Sequence, residues 1–326
     1  MKMFAEVLVL SLIFRLIPAD SQFEFFKSRC DLNCTFGYDH LDSESFKAFP
    51  SNCTNVCAYL SLDENSNLSE NELNPVFQNV KVLYGYLNVK NTKLKDLKFL
   101  KGLEKLECDE FTNLKIEYNS EMTTIGMTNF SATNCEILIS ENVKLDRFDL
   151  PNLKNFYITN SNNNILPEFT AKYLSPNFCI TLEEMTNFMT SRFLNFGTFN
   201  VPFCNFSTPT NELFGEKVCE IRNFTSSNFD ELCKRIIGNV IIENGDEQYV
   251  NKLKNVTWIF GTVKIYKTNL TTIDFLDSLE YVTNDPDGVV GSEVRIQVKG
   301  NKNLMSAVFP NLKNHRELIF KGSVGY

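Results

Sequence analysis

Cys30, Cys34, Cys53 and Cys57 form two C-x3-C pairs, a spacing that suits either a zinc site or a set of disulfides. Cys108, Cys135, Cys179, Cys204, Cys219 and Cys233 bring the total to ten, an even number. Disulfides and no metal are expected, because other features point to the oxidising secretory route. Eight N-x-S/T sequons occur, at Asn33, Asn52, Asn67, Asn129, Asn205, Asn223, Asn255 and Asn269. Cys is the middle residue at Asn33 and Asn52, which leaves Asn67, Asn129, Asn205, Asn223, Asn255 and Asn269 as the glycosylation candidates. Lys2, the apolar run 7–14 and the small-x-small tripeptide Ala19-Asp20-Ser21 read as a signal peptide over residues 1–21. The expected location is therefore extracellular.

Residue types that catalyse are sparse. The two histidines, His40 and His315, stand far apart with no motif beside them. No G-x-S-x-G elbow, H-E-x-x-H helix, G-x-G-x-x-G turn or P-loop occurs. Carboxylates are plentiful, but no spacing sets two of them on one face. A non-enzyme without a cofactor is expected. The net charge is −8, with 32 Lys+Arg against 40 Asp+Glu, which argues against a nucleic-acid partner. No stretch reaches about 18 uncharged apolar residues, so no membrane span is expected.

The elements that position these residues come in two copies. At a fixed offset of 176, Gly85 matches Gly261, Thr92 matches Thr268 and Leu94 matches Leu270. Phe99-Leu100 matches Phe275-Leu276, and Leu103-Glu104 matches Leu279-Glu280. Pro151-Asn152-Leu153-Lys154-Asn155 recurs letter for letter at 310–314. A repeat this long means one fold used twice, and 326 residues at 43% hydrophobic are enough for two cores.

Within the copies, apolar–x–apolar triplets recur at 60–62, 87–89, 114–116, 137–139 and 156–158, then at 240–242, 263–265, 296–298 and 318–320. Their period of two predicts strands, separated by connectors of roughly 20–30 residues. Asn residues beside the strands, such as Asn142 and Asn301, can turn the backbone and bond to it. Mainly β structure is expected, with short helices, as two right-handed β-helix or solenoid domains of leucine-rich-repeat type. Turns of this kind bury their apolar faces only against one another. The first copy spans 30–168 and the second 218–326. Between them, 169–217 holds a short capped helix at 181–189 and then a loop around Asn195, Gly197, Asn200 and Pro202.

One motif order is specific. Cys53-Thr-Asn-Val56-Cys-Ala58-Tyr-Leu60-Ser-Leu62 recurs as Cys233-Lys-Arg-Ile236-Ile-Gly238-Asn-Val240-Ile-Ile242. An apolar–x–Gly–x–apolar–x–apolar run follows in each copy, then Phe-Leu-x-x-Leu-Glu, then Pro-Asn-Leu. This order resembles the receptor L domains of the insulin and epidermal-growth-factor receptors. It is most similar to secreted nematode proteins with two such domains. The resemblance implies a disulfide from each copy's first turn to an upstream Cys: Cys219 with Cys233, and Cys30 or Cys34 with Cys53 or Cys57. Cys108 with Cys135, and Cys179 with Cys204, follow by proximity. The Cys-rich module that separates the receptor domains has no counterpart here, since 156–218 holds only Cys179 and Cys204.

The resemblance further implies a ligand face on the outward strand positions. Here these are Ser61, Asp63, Asn88 and Lys90, with Tyr86 and Tyr118 as outward aromatics. The expected function is non-catalytic binding of an extracellular peptide or protein, or of another L-domain protein, as a decoy or co-receptor. A structural extracellular protein and a carbohydrate-active solenoid enzyme are the alternatives. A cleft of paired carboxylates would favour the enzyme, and an exposed apolar patch the binding protein.

Overall fold

Alternating apolar side chains make strands, and these strands stack in parallel. The computed structural model describes residues 25–109, 113–159, 166–199, 201–206, 211–221, 226–283, 295–313 and 318–321. Residues 1–21, read as a leader, and Asn223 and His315 lie outside them. The first half holds β1 (Asn55–Leu62), α1 (Glu70–Phe77), β2 (Val82–Lys90), β3 (Lys105–Glu107), β4 (Asn113–Glu117), β5 (Ala132–Thr133), β6 (Glu136–Ser140), β7 (Asn155–Phe156), β8 (Glu168–Lys172), α2 (Leu182–Thr190) and β9 (Asn195–Phe199). The second holds β10 (Glu212–Leu213), β11 (Glu216–Glu220), β12 (Arg235–Ile237), β13 (Val240–Ile242), β14 (Trp258–Phe260), β15 (Val263–Tyr266), β16 (Thr272–Ile273), β17 (Tyr281–Val282), β18 (Ile296–Lys299), β19 (Ser306–Ala307) and β20 (Leu318–Lys321). The protein is mainly β with short helices. It divides into two compact units: residues up to Cys179 with Glu184–Phe199, and Ile180–Glu183 with the residues after Phe199.

In unit 1, β1, β2, β4, β6, β8 and β9 pair in that order, all parallel. The register sets Leu62, Val89, Ile116, Ile139 and Ala171 side by side, and Leu60, Leu87, Leu114, Ile137 and Phe169 beside them. All ten are buried, so each rung closes the apolar face of its neighbour. A second ladder runs from the first half of β2 through β3, β5 and β7. One strand serves both ladders because the chain bends at Gly85, where φ is +133. A Cβ there would run into the carbonyl of Ala58, so only glycine fits.

Unit 2 repeats the design. β11, β12, β14 and β17 form one parallel ladder, with β10 antiparallel on β11. β13, β15, β18 and β20 form another, and β16 with β19 a third. Gly261, the match of Gly85, sits where β14 passes into β15, and its Cβ would meet the Gly238 carbonyl.

Asparagines close the turns from inside. Asn119 Oδ1 accepts from the Thr92 N–H at 2.9 Å and the Thr92 hydroxyl at 2.8 Å, while its amide donates to Val89 O and to Asn142 Oδ1. Asn142 in turn donates to Ile116 O. In unit 2, Asn301 Oδ1 accepts from the Thr268 N–H and hydroxyl, and its amide donates to Ile265 O. These asparagines are buried, and their bonds satisfy backbone and side-chain groups that water cannot reach.

Two local expectations change. Residues 156–158 do not continue the main ladder: Phe156 lies in β7 of the second ladder, and Phe169-Thr170-Ala171 of β8 supplies the rung. The stretch from Asn195 is strand β9 rather than loop. Phe199 packs on Phe169 with ring centroids 5.0 Å apart, and Phe188 of α2 lies 5.2 Å from Phe169. That aromatic burial outweighs the weak strand propensity of an Asn- and Gly-containing segment. A Cβ at Gly197 would force the Glu168 and Thr170 side chains to shift. The helix expected at 181–189 is α2.

The bridges are Cys30–Cys57, Cys34–Cys53, Cys108–Cys135 and Cys219–Cys233. Cys179 and Cys204 are disulfide-bonded as well. No group of three metal-ligating side chains comes together among the described residues. Nor is any described helix long and apolar enough to cross a membrane.

Candidate functional site

Outward side chains on β1, β2 and the end of β4 gather most of the residues expected to bind. Ser61 and Asn88 are register partners, with Asn88 Nδ2 3.4 Å from Ser61 Oγ. Tyr86 pairs with Tyr59, and their rings stack at 5.0 Å. Lys90 Nζ lies 5.5 Å from the Tyr118 ring centroid. Lys115 and Leu138 extend the Ser61–Asn88 row onto β4 and β6. Asp63 is set apart in the loop after β1, where its carboxylate accepts from the Asn65 N–H at 2.7 Å and approaches His40 Nε2 at 3.4 Å.

Asn88 holds the least settled atom of this face. Its Oδ1 is buried and has no hydrogen-bond partner, the one such side-chain atom found among the described residues. Turning the amide over would leave its nitrogen unmet in the same place. A buried polar atom without a partner costs about 1–3 kcal/mol, so its retention calls for a reason outside the fold.

The corner beyond the ladder has a second irregularity. Asn91, Tyr118, Glu141 and Tyr173 follow β2, β4, β6 and β8, with φ of 55, 58, 56 and 55. Asn tolerates this left-handed backbone, but for other non-glycine residues it costs roughly 1–2 kcal/mol. Tyr118 and Tyr173 recover none of that by burial, being 49% and 66% exposed. Tyr173 escapes a sequence reading because nothing in its neighbourhood marks the turn.

The side of Tyr59 and Tyr86 toward the second ladder is walled by the N-terminal segment. Phe26 packs on Tyr59 at 4.8 Å, and the Tyr59 hydroxyl donates to Asp109. Burial, then that bond, pushes the Tyr59 hydroxyl far above its ordinary pKa. Next to it, Glu107 receives Arg29 Nε at 2.9 Å, Lys105 Nζ at 2.7 Å and the Tyr157 hydroxyl at 3.2 Å. Burial works to raise the Glu107 pKa, but the bonds and charges of Lys105 and Arg29 prevail and hold it below the usual carboxylate range.

Two arrangements bear on catalysis. Ser66, His40 and Asp63 lie together, yet Ser66 Oγ and Asp63 Oδ1 both approach the same ring nitrogen, Nε2, at 3.4 Å. A proton relay needs one partner on each nitrogen, so His40 is a tie between loops. A groove of about 400 Å³ lies between the loop after β1 and the turn after β2, with Asp63, Glu70 and Glu72 in its wall. Glu70 accepts from the Lys95 N–H, and Glu72 completes a capping box with Ser69 at the start of α1. Asp63, Glu70 and Glu72 are thus turned onto backbone, while Glu64 also lines the groove.

The sequon asparagines within the described residues, Asn33, Asn52, Asn67, Asn129, Asn205, Asn255 and Asn269, are all exposed. The curated protein irld-34 of Caenorhabditis elegans is similar to this chain, at 21% identity over 272 residues. That match covers 81% of this chain, which spans 60% of the relative's length. The profile of the receptor L domain family matches twice, over residues 52–153 and 232–324. The chain therefore belongs to the receptor L domain family.

Proposed function

We propose that this is an extracellular, glycosylated, non-catalytic binding protein whose ligand is a peptide or protein held on the outward face of β1, β2 and β4. The unmet Asn88 Oδ1 carries this reading: once the side chain swings outward from its buried position, a ligand donor would satisfy it. Ser61, Tyr86, Lys90 and Tyr118 surround it as contact residues, and Asp63 borders them through the loop after β1. Stacked aromatics beside a polar anchor suit a protein interface. Disulfides support an oxidising compartment, and the exposed sequons support glycosylation. The two in-register ladders support a solenoid in each copy, with 30–168 and 218–326 as the two L domains and 169–217 between them. Such a protein would act as a decoy or co-receptor, or would pair with another L-domain protein.

The test is a binding screen of the secreted full chain against secreted peptides and receptor ectodomains. A saturable partner whose binding falls about tenfold or more on Tyr86→Ala, as expected of an interface anchor, supports the face. A partner indifferent to Tyr86 and Asn88 would remove it.

A further inference from the structure

Two of the eight sequons are tied to each other. Asn33-Cys34-Thr35 and Asn52-Cys53-Thr54 each have Cys in the middle, and Cys34 is bonded to Cys53 with their Cα atoms 5.7 Å apart. None of the other six has a cysteine. Asn33 O lies 3.8 Å from Cys53 Sγ, so the two tripeptides lie against one another. Asn33 and Asn52 are nonetheless exposed. Asn52 also opens onto a groove of about 510 Å³ lined by Asp31, Thr54 and Asn55, which leaves room for a sugar.

Folding takes both tripeptides out of the form that a glycosyl transferase takes up, a free surface loop. Leu32–Cys34 make a 3-10 turn, and the Thr35 hydroxyl donates to Asp31 O at 3.1 Å. The Cys53 N–H donates to Pro50 O at 3.0 Å, and Thr54 O accepts from the N–H groups of Lys81 and Val82. The Cys34–Cys53 bond pins these two tied segments together. The tether, and not burial, is what keeps Asn33 and Asn52 from reacting in the folded chain.

We propose that Asn33 and Asn52 are glycosylation acceptors gated by the Cys34–Cys53 bridge, open while the thiols are free and closed once they join. This rests on the extracellular reading above. In the transfer, the Asn amide nitrogen bonds to the anomeric carbon of a lipid-diphosphate-linked oligosaccharide. The bond from that carbon to the diphosphate oxygen breaks, and the amide proton passes to a base. In closure, the two thiols give two electrons and two protons to the disulfide of a thiol oxidoreductase, which becomes a dithiol. The window differs between the two sites. Cys53 follows Cys34 by 19 residues. At synthesis rates of roughly 5–20 residues per second, that gives Asn33 about 1–4 s before its bridge can form. Asn52 has no such lead, because its own neighbouring cysteine completes the pair. Occupancy is therefore expected to be higher at Asn33 than at Asn52.

Occupancy would be measured peptide by peptide on the full chain, in cells and medium together, so that a variant that fails to fold is still counted. Enzymatic removal of the glycan in heavy-oxygen water marks each occupied Asn as a labelled Asp. Cys34→Ser leaves Asn52-Cys53-Thr54 intact, and Cys53→Ser leaves Asn33-Cys34-Thr35 intact. Each should raise the untouched site to the level of the cysteine-free sequons. Cys30→Ser/Cys53→Ser/Cys57→Ser removes the neighbouring cysteines that could pair with Cys34 instead, and should do the same for Asn33. Cys219→Ser/Cys233→Ser opens the bridge of unit 2 and should leave both sites at the wild-type level. Full occupancy of both sites in the wild type, Asn52 ahead of Asn33, no rise in the single variants, or an equal rise on opening unit 2 would overturn the gate. Sugar at none of the eight sequons would overturn the extracellular reading as well.

Discussion

Leu87 and Val89 of β2 correspond to Val263 and Ile265 of β15, and all four are buried. The residues between and after them do not correspond in kind: Asn88, Lys90 and Asn91 in unit 1 are Lys264, Tyr266 and Lys267 in unit 2. The inward positions are fixed by burial, because a rung that loses its apolar pair exposes its neighbour. The outward positions are free of that demand, and there the copies have parted. Unit 1 has an unmet amide and exposed tyrosines at left-handed backbone, while unit 2 has Lys264, Tyr266 and Lys267 at the places of Asn88, Lys90 and Asn91. Duplication thus kept one scaffold and yielded two different surfaces.

If the inner wall is shared, breaking it should hurt both units, and unit 1 more. Asn119 links Thr92, Val89 and Asn142, whereas Asn301 links only Thr268 and Ile265. Asn119→Ala should cost about 4 kcal/mol and Asn301→Ala about 3 kcal/mol, since each leaves buried partners unmet. Hydrogen exchange resolves the affected unit. A larger loss for Asn301→Ala would show that the Asn119–Asn142 contact adds nothing.

The disulfides sharpen the contrast at a slightly smaller scale. Two bridges, Cys30–Cys57 and Cys34–Cys53, share the first rungs of unit 1, while Cys219–Cys233 alone joins β11 to the start of β12. Closing a loop of this size contributes about 3 kcal/mol. Cys233→Ser should lower the melting temperature and secretion, and a variant unchanged in both would count against that role.

Acid should separate the units further. Glu107 is the match of Thr283, which cannot titrate. Because the folded pKa of Glu107 is depressed, its contribution is complete above the unfolded value of about 4.3 and is lost as pH falls through the folded one. Glu107→Gln should therefore weaken unit 1 at neutral pH and flatten its stability loss below about pH 4. An unaltered acid profile would mean that the Arg29 and Lys105 bonds do not report on folding.

Much of the scaffold was legible in the sequence because it follows from short-range pattern. The apolar triplets mark β1, β2, β4, β6, β13, β15, β18 and β20, and Gly85 with Gly261 mark the bends. The exchange of Phe156 for Phe169 in the main ladder was not legible, since both sit in apolar–x–apolar settings and packing against Phe148 and Phe199 decides between them. Strand β9 hid behind its Asn and Gly for the same reason. At the site, Ser61, Asn88 and Lys90 were named from the family resemblance, with Tyr86 and Tyr118 added as aromatics able to face outward. The unmet oxygen of Asn88 depends on which side chains fail to reach it, and that leaves no local signal.

The central claim is that Asn88 is kept for a ligand at the expense of the fold. The direct measurement is Asn88→Leu, read as both thermal stability and partner binding. Relieving an unmet buried oxygen should raise stability by about 1 kcal/mol while binding falls. A variant that is less stable, or that binds as well as the wild type, would contradict the account.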